Sequence, residues 1–250
     1  MNAPTRVYKT TGVVLRARNL GEADKILTLF TIDRGKIDAV AKGIRRAKSA
    51  LSGRLEFLSE ATLSMHRGRN LDVITSAEIR HSNFNAIVKP NAFAAASIVA
   101  ELVDTFCERD MPVPEIYDLL CGVLRAFDSV EDQLVLVPRF QLRLLDALGL
   151  APPCQACVRC GASLEDQAAW LDLESGGLAG VECRINWMNV LELDRDDVFN
   201  FRGLAAARGQ QAALYARPRV AKAAETIIAY HLGRRPKAGA HASEFVNPAS

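Results

Sequence analysis

The sequence predicts an α+β chain in three parts: a small closed β-barrel at the N-terminus, an all-helical domain after it, and a compact cysteine-bearing insert within the helices. Three observations carry this expectation. Short stretches rich in Val, Ile, Leu and Thr fill the first 80 of the 250 residues. From about residue 90 the apolar positions recur at three- and four-residue steps. Cys154, Cys157 and Cys160 then follow one another at intervals of three, with Cys183 further on.

Five strands are expected in the N-terminal part, from "TTGVVLRARNL", "ILTLFTI", "KIDAVAKGI", "EFLSEATLSMH" and "LDVITSAEI". Each is short, β-branched and partly alternating. "DRGK" at 33–36 and "HRGRN" at 66–70 separate them, each placing a glycine where a hairpin turn needs positive φ. Five strands without a strong helix in about 80 residues point to a five-stranded oligonucleotide-binding (OB) barrel over 1–80. The helical domain, 81–250, starts with "NAFAAASIVAELVDTFCER", where Asn91 follows Pro90 as the expected cap. "PEIYDLLCGVLRAF" places Pro114 and Glu115 in a first turn. "LVPRFQLRLLDALGL" sets Phe140, Leu144 and Leu148 on one stripe, with Gly149 to end it. The insert occupies about 151–186, and "RPRVAKAAETIIAYHLGRR" supplies a late helix with Ile227 and Tyr230 facing inward.

A composition of 49% apolar and 24% charged residues describes an ordinary globular chain. The opening "MNAPTRVYKT" has no apolar signal core, and the apolar run near "AFAAASIVA" is too short to span a bilayer. The expectation is a cytoplasmic, nucleoid-associated protein whose six cysteines are reduced or metal-bound. The net charge of +2 hides an asymmetry: residues 1–80 carry 15 Lys+Arg against 8 Asp+Glu, and residues 81–250 carry 16 against 21. A basic N-terminal part points to a polyanion.

The densest cluster is "AKGIRRAKS" at 41–49. Lys42, Arg45, Arg46, Lys48 and Arg54 could track a phosphate backbone, with Arg34 and Lys36 on one hairpin and Arg67 and Arg69 on another widening the surface. The plain alternative is a solvated loop kept soluble by its charges. Tyr8, Phe30 and Phe57 are the aromatics of this part; Phe30 and Phe57 are expected to face the core, so base-specific readout is not expected.

In "CQACVRCG" a Cys-x-x-Cys-Gly turn can aim two thiolates at one metal, and a complete zinc site needs two more ligands. Cys183 supplies one; three residues before it stands Gly180, which leaves Cys154 as the candidate fourth. An iron–sulfur arrangement and a metal-free reading, with Cys154 a small buried hydrophobe, stay open. Cys107 and Cys121 fall among Leu, Val and Phe and read as core. His66, His81, His231 and His241 are scattered, and "ELDRDD" at 192–197 suits a helix N-terminus. The sequence has no phosphate-binding glycine loop, dinucleotide fingerprint or nucleophile elbow, and yields no catalytic set.

The order of these features resembles the RecO family of bacterial recombination mediators. "ADKILTLFTIDRGKIDAVAKGIRRAKSAL", "GRLEFLSEATLSM", "RFQLRLLDALGLAPPCQACVRCG" and "YHLGRRPKAGAHASEF" carry the resemblance. It implies an OB barrel, a helical domain with a zinc-finger-like insert, and no covalent catalysis. It also implies binding to single- and double-stranded DNA and annealing of complementary strands. The implied protein partners are RecR and the single-strand-binding protein, in loading the RecA recombinase. For the acidic, aromatic-ended C-terminal tail of the single-strand-binding protein, Arg139 and Arg143, one turn apart beside Phe140, form a candidate receptor; the alternative is a solvated face paired with Asp146. Cys157, Cys160, Gly176, Gly177 and Cys183 match the family's metal pattern, while Gly180 stands where it has a third ligand. One structural Zn²⁺ is therefore expected only if Cys154 completes the set. The rival readings are a non-catalytic OB adaptor that binds only proteins and, more remotely, a metal-dependent nuclease.

Overall fold

A computed structural model describes residues 6–83, 88–184, 191–206 and 215–238. The first five strands are β1 (Val7–Leu20), β2 (Asp24–Thr31), β3 (Gly35–Ala41), β4 (Glu60–His66) and β5 (Asp72–His81). They close into a barrel in the order β1-β2-β3-β5-β4, with β3 and β5 parallel over Ala39–Ala41 and the other pairs antiparallel. This is the expected OB-type barrel. β1 makes closure possible by serving both edges: its first half pairs with β4 and its second with β2, with a register shift between Val14 and Arg16 where the strand bends. Alternation does the rest. Leu27 and Leu29 of β2, Ile37, Ala39 and Ala41 of β3, and Ala61, Leu63 and Met65 of β4 fill the interior.

Two turn glycines are needed for different reasons. Gly35 takes φ +64 as expected, and a Cβ there would also lie 2.1 Å from the Met111 carbonyl oxygen. Gly68 is not among the positive-φ residues; its side chain is excluded because a Cβ would sit 1.9 Å from the Leu71 carbonyl oxygen.

Helices α1 (Pro90–Phe106) and α2 (Pro114–Ala126) belong to the same compact unit as the barrel, which runs to Gln133. The helical domain was expected to begin near residue 81, but these two helices cover the barrel. Phe30 meets Tyr117 with ring centroids 6.3 Å apart. Buried Asp38 accepts from Thr28 Oγ1 at 2.7 Å, Arg109 Nη2 at 2.9 Å and Arg18 Nη2 at 3.2 Å. Buried Glu60 accepts from Arg125 Nη2 at 2.9 Å and Tyr117 Oη at 3.2 Å. Residue 109 forms a parallel bridge with Lys36, on the half of β3 that β5 leaves unpaired. Pro90 is the first residue of α1 and Lys89 its cap, so Asn91 lies inside the helix.

The second unit, 134–240, holds α3 (Val137–Ala147), α4 (Arg195–Ala205) and α5 (Pro218–Leu232), packed on one another, and a small sheet in the order β7-β6-β8 from β6 (Ala169–Asp172), β7 (Gly177–Gly180) and β8 (Glu192–Leu193). The "ELDRDD" run caps α4 through a reciprocal pair, Asp194 with the Asp197 N–H and Asp197 with the Asp194 N–H. Ile227 faces inward as expected, whereas Tyr230 is 52% exposed because it lies on the outer side of α5. Among the described residues no helix is long and apolar enough to cross a membrane. Residues 239–250, including His241 and the last seven residues of the closing segment that carried the resemblance, lie outside the described residues.

Candidate nucleic-acid interface

The basic loop joins β3 to β4, and its sequence separates two jobs. Ile44, Leu51, Leu55 and Leu58 are buried, the first three within the barrel core, while Lys42, Arg45, Arg46 and Lys48 are exposed. The loop is thus pinned from below at four points. At its start the Gly43 N–H donates to Asp24 Oδ1 at 2.7 Å. The Arg45 N–H donates to the Ala23 carbonyl at 3.0 Å, and Arg45 Nη1 to the Gly21 carbonyl at 3.1 Å. These bonds tie the loop to the β1–β2 turn.

The other expected contacts divide. Arg34 is ion-paired with Asp72 at 3.1 Å and with Asp110 at 3.7 Å, and lies 4.8 Å over the Tyr8 ring. Lys36 pairs with Asp104 at 3.3 Å and its side chain is only 12% exposed. Both cations join the barrel to 104–110 and do not stand open with the loop. Burial, then the hydrogen bond and charge of Asp72, push the Tyr8 phenol up to about 12, so it stays neutral. Burial opposes ionisation of Asp72, but the Tyr8, Gly68 and Arg34 hydrogen bonds outweigh it and hold the carboxyl below its ordinary value. Arg67 and Arg69 are exposed, with Arg67 5.6 Å from the Tyr8 ring.

Arg54 donates to the Ala77 carbonyl at 3.1 Å and lines an open groove with Lys9, Thr62, Ser64, Ser76 and Glu78. Lys9 and the three hydroxyls were missed. The strand alternation could have found them, because Thr62 and Ser64 occupy the outward positions between inward Ala61, Leu63 and Met65. Phe57 was expected to face the core and is only half-buried, against Phe93 of α1.

In the cysteine insert, the Sγ atoms of Cys157, Cys160 and Cys183 lie within 4.8 Å of one another. Cys154 is not in this group. Its backbone carbonyl accepts from Arg202 Nε at 2.8 Å, and burial raises its thiol above the usual value. The Cys-x-x-Cys turn is built by the Cys157 N–H donating to the Ala162 carbonyl at 2.8 Å and the Gly161 N–H to the Cys157 carbonyl at 2.9 Å. The Gly180 N–H donates to Cys157 Sγ at 3.3 Å. Burial opposes ionisation of Cys157, yet the backbone N–H groups of Gly180, Cys160 and Arg159 bring its thiol down to about 6. Hydrogen bonding to Cys160 and Cys157 pushes Cys183 up to about 11, so in the metal-free cluster Cys157 carries the negative charge. Three converging thiols, one activated by backbone donors, can hold a metal ion, with a fourth corner that no described residue fills. The turn also has a fixed partner: Arg159 Nε donates to fully buried Asp172 at 2.6 Å.

The candidate tail receptor is corrected. Phe140 is 1% exposed and packs in the core of the second unit. Arg139 donates to the carbonyls of Gly203, Leu204 and Ala206 at 3.1–3.3 Å, and Arg143 to Ala205 at 3.2 Å and Asp146 at 2.6 Å. These arginines cap the C-terminal end of α4, whose last carbonyls have no partner within the helix.

Residues 5–83 match the family model described as "Recombination protein O N terminal", and residues 89–239 the one described as "Recombination protein O C terminal". Among curated relatives, a protein named DNA repair protein RecO from Bifidobacterium adolescentis is 37% identical over 176 residues, 69% of this chain and 72% of that one. The protein of the same name from Heliobacterium modesticaldum is 38% identical over 183 residues, covering 72% and 66%. That from Dehalococcoides mccartyi is 32% identical over 177 residues, covering 71% and 70%. Matched by these two models over most of its length, the chain belongs to the recombination protein O (RecO) family.

Proposed function

We propose that this chain is a non-catalytic DNA repair and recombination mediator that grips single- and double-stranded DNA by the backbone, anneals complementary strands, and helps load RecA onto DNA coated by single-strand-binding protein. The observation that carries the reading is the pinned loop, with Ile44, Leu51 and Leu55 in the barrel core while Lys42, Arg45, Arg46 and Lys48 stand in solvent. Arg54, Arg67, Arg69 and Lys9 extend the same cationic surface. Cations on a rigid base neutralise phosphates of two strands at once, which lowers their repulsion and lets complementary bases pair. Family membership supports RecR and the tail of the single-strand-binding protein as partners. Cys157, Cys160 and Cys183 would hold one zinc ion that staples the two turns of the insert, with the fourth position supplied from outside these three residues.

Annealing of two labelled complementary oligonucleotides, with and without single-strand-binding protein, tests the reading. Acceleration that falls steeply with salt is expected. A protein that leaves the annealing rate unchanged and ignores both strand forms in dilute buffer refutes it, and leaves the adaptor reading in its place.

A further inference from the structure

Backbone contacts to phosphate leave an exposed aromatic of the barrel unit unexplained. Phe93, in the first turn of α1, is 55% exposed. Phe57, in the loop before β4, backs it, with ring centroids 6.1 Å apart and planes at 55°. The backbone beside Phe57 is unusual: Leu58 has φ +58, a left-handed conformation rare for a bulky side chain. Several bonds hold it there. The Leu58 N–H donates to the Val14 carbonyl at 2.8 Å and the Ser59 N–H to the Glu56 carbonyl at 3.0 Å, while Asn83 Nδ2 donates to the Leu58 carbonyl at 3.1 Å. The fold thus accepts a strained residue to bury Leu58 and keep its neighbour Phe57 at the surface beneath Phe93.

We propose that Phe93, backed by Phe57, is a stacking platform for an unpaired base of single-stranded DNA. Each of the two elements also carries a cation for the neighbouring phosphates: Lys89, exposed and one turn before Phe93, and Arg54, three residues before Phe57. The two rings touch, so a base stacks on the open face of Phe93 and not between them. The platform lies apart from the outer face of β2 and β3, which α2 covers through the Phe30–Tyr117 contact. Duplex DNA hides its base faces, so this platform adds affinity for single strands alone. The proposal rests on the DNA-binding reading above and deepens it.

Anisotropy titrations with an oligo-dT and with a duplex of equal length test it on the full chain. Phe93→Ala is expected to weaken oligo-dT binding by about five- to 150-fold, the span of one base–aromatic stack. Duplex affinity and the salt slope should stay within twofold of the parent. Phe93→Tyr should restore the single-strand affinity, and Phe93→Trp should add an indole signal quenched by oligo-dT but not by duplex. Unchanged oligo-dT binding by Phe93→Ala, or equal losses on both strand forms, overturns the platform while leaving the DNA-binding reading intact. A parent protein that binds neither form overturns both.

Discussion

The division of the cations into open and engaged sets makes a sharp prediction about salt. Arg45→Ala, Arg46→Ala and Lys48→Ala together remove three exposed charges from a loop whose fold depends on Ile44, Leu51 and Leu55. Each phosphate contact on single strands contributes about −0.7 to the slope of log affinity against log salt, so the triple variant should flatten that slope by about 2. A fourfold rise in salt should then weaken the parent about twentyfold more than the variant. Arg34→Ala with Lys36→Ala removes two charges from the same barrel but from ion pairs with Asp72, Asp110 and Asp104. That variant should keep the parent's slope within about half a unit, below the contribution of one contact. It should instead lose about 1–3 kcal/mol per pair, between the exposed and buried limits for breaking an ion pair. In a chain of this size that lowers Tm by about 2–4 °C for each kcal/mol. Titration of an oligo-dT at four salt concentrations, alongside calorimetry, separates the two. Equal slopes for parent and triple variant, or a slope change in the Arg34/Lys36 variant as large as in the loop variant, would refute the division.

Three further outcomes follow from the geometry. Cys157→Ser should abolish stoichiometric zinc or cobalt binding and Cys154→Ser should leave it intact, because only the former belongs to the three-thiol cluster; metal analysis of purified protein checks this, and less than about a tenth of an equivalent in the parent ends the metal reading. Gly35→Ala should cost more than about 2 kcal/mol in denaturant unfolding, since a left-handed residue is joined there by a 2.1 Å approach to the Met111 carbonyl, whereas Gly21→Ala, with φ +59 and nothing within 4 Å, should cost only about 1 kcal/mol. Burial opposes ionisation of Asp38 and Asp172, but hydrogen bonds and arginine charges outweigh it and hold both carboxyls below the ordinary value, so their stabilisation is full above the unfolded pKa of about 3.9 and is lost as pH falls through the folded values; Tm measured from about pH 6 to pH 3 should show an acid limb that Asp38→Asn makes shallower, and an identical limb in that variant would remove Asp38 from the account.

The barrel could be read from the sequence because its signals are local. Alternation in β2, β3 and β4 and the Gly35 turn each lie within a few residues of what they determine. The basic loop was legible for the same reason, since Lys42 to Lys48 have no acidic neighbour in sequence. The pairing of Arg34 and Lys36 was not, because their carboxylates, Asp72, Asp104 and Asp110, stand far along the chain. Phe57 was misjudged because its direction is set by the left-handed Leu58, which composition does not reveal. Phe140 and Arg139 were read as a surface because periodicity gives a stripe without saying what lies against it; α4 does, and takes the arginines for its C-terminal carbonyls. The cysteine spacing gave the right turn and the wrong fourth ligand. Cys154 is as near to Cys157 in sequence as Cys160 is, but the turn that joins Cys157 to Cys160 leaves it outside the cluster.

The burial of the outer β2–β3 face changes where an OB barrel can meet DNA. In many such barrels that face is the oligonucleotide surface. Here Phe30 on β2 lies against Tyr117, and Asp38 on β3 is closed over by Arg109. A polyanion approaching that face would meet a buried carboxylate whose compensating arginines already hold it. Exposed cations stand instead on the β3–β4 loop, on the β4–β5 turn and along the β1–β4–β5 groove. A surface spread over loops and a groove suits contact with phosphates rather than with base edges. Contact of that kind fits the annealing role proposed above, in which the protein holds either strand by its backbone and the bases do the selecting.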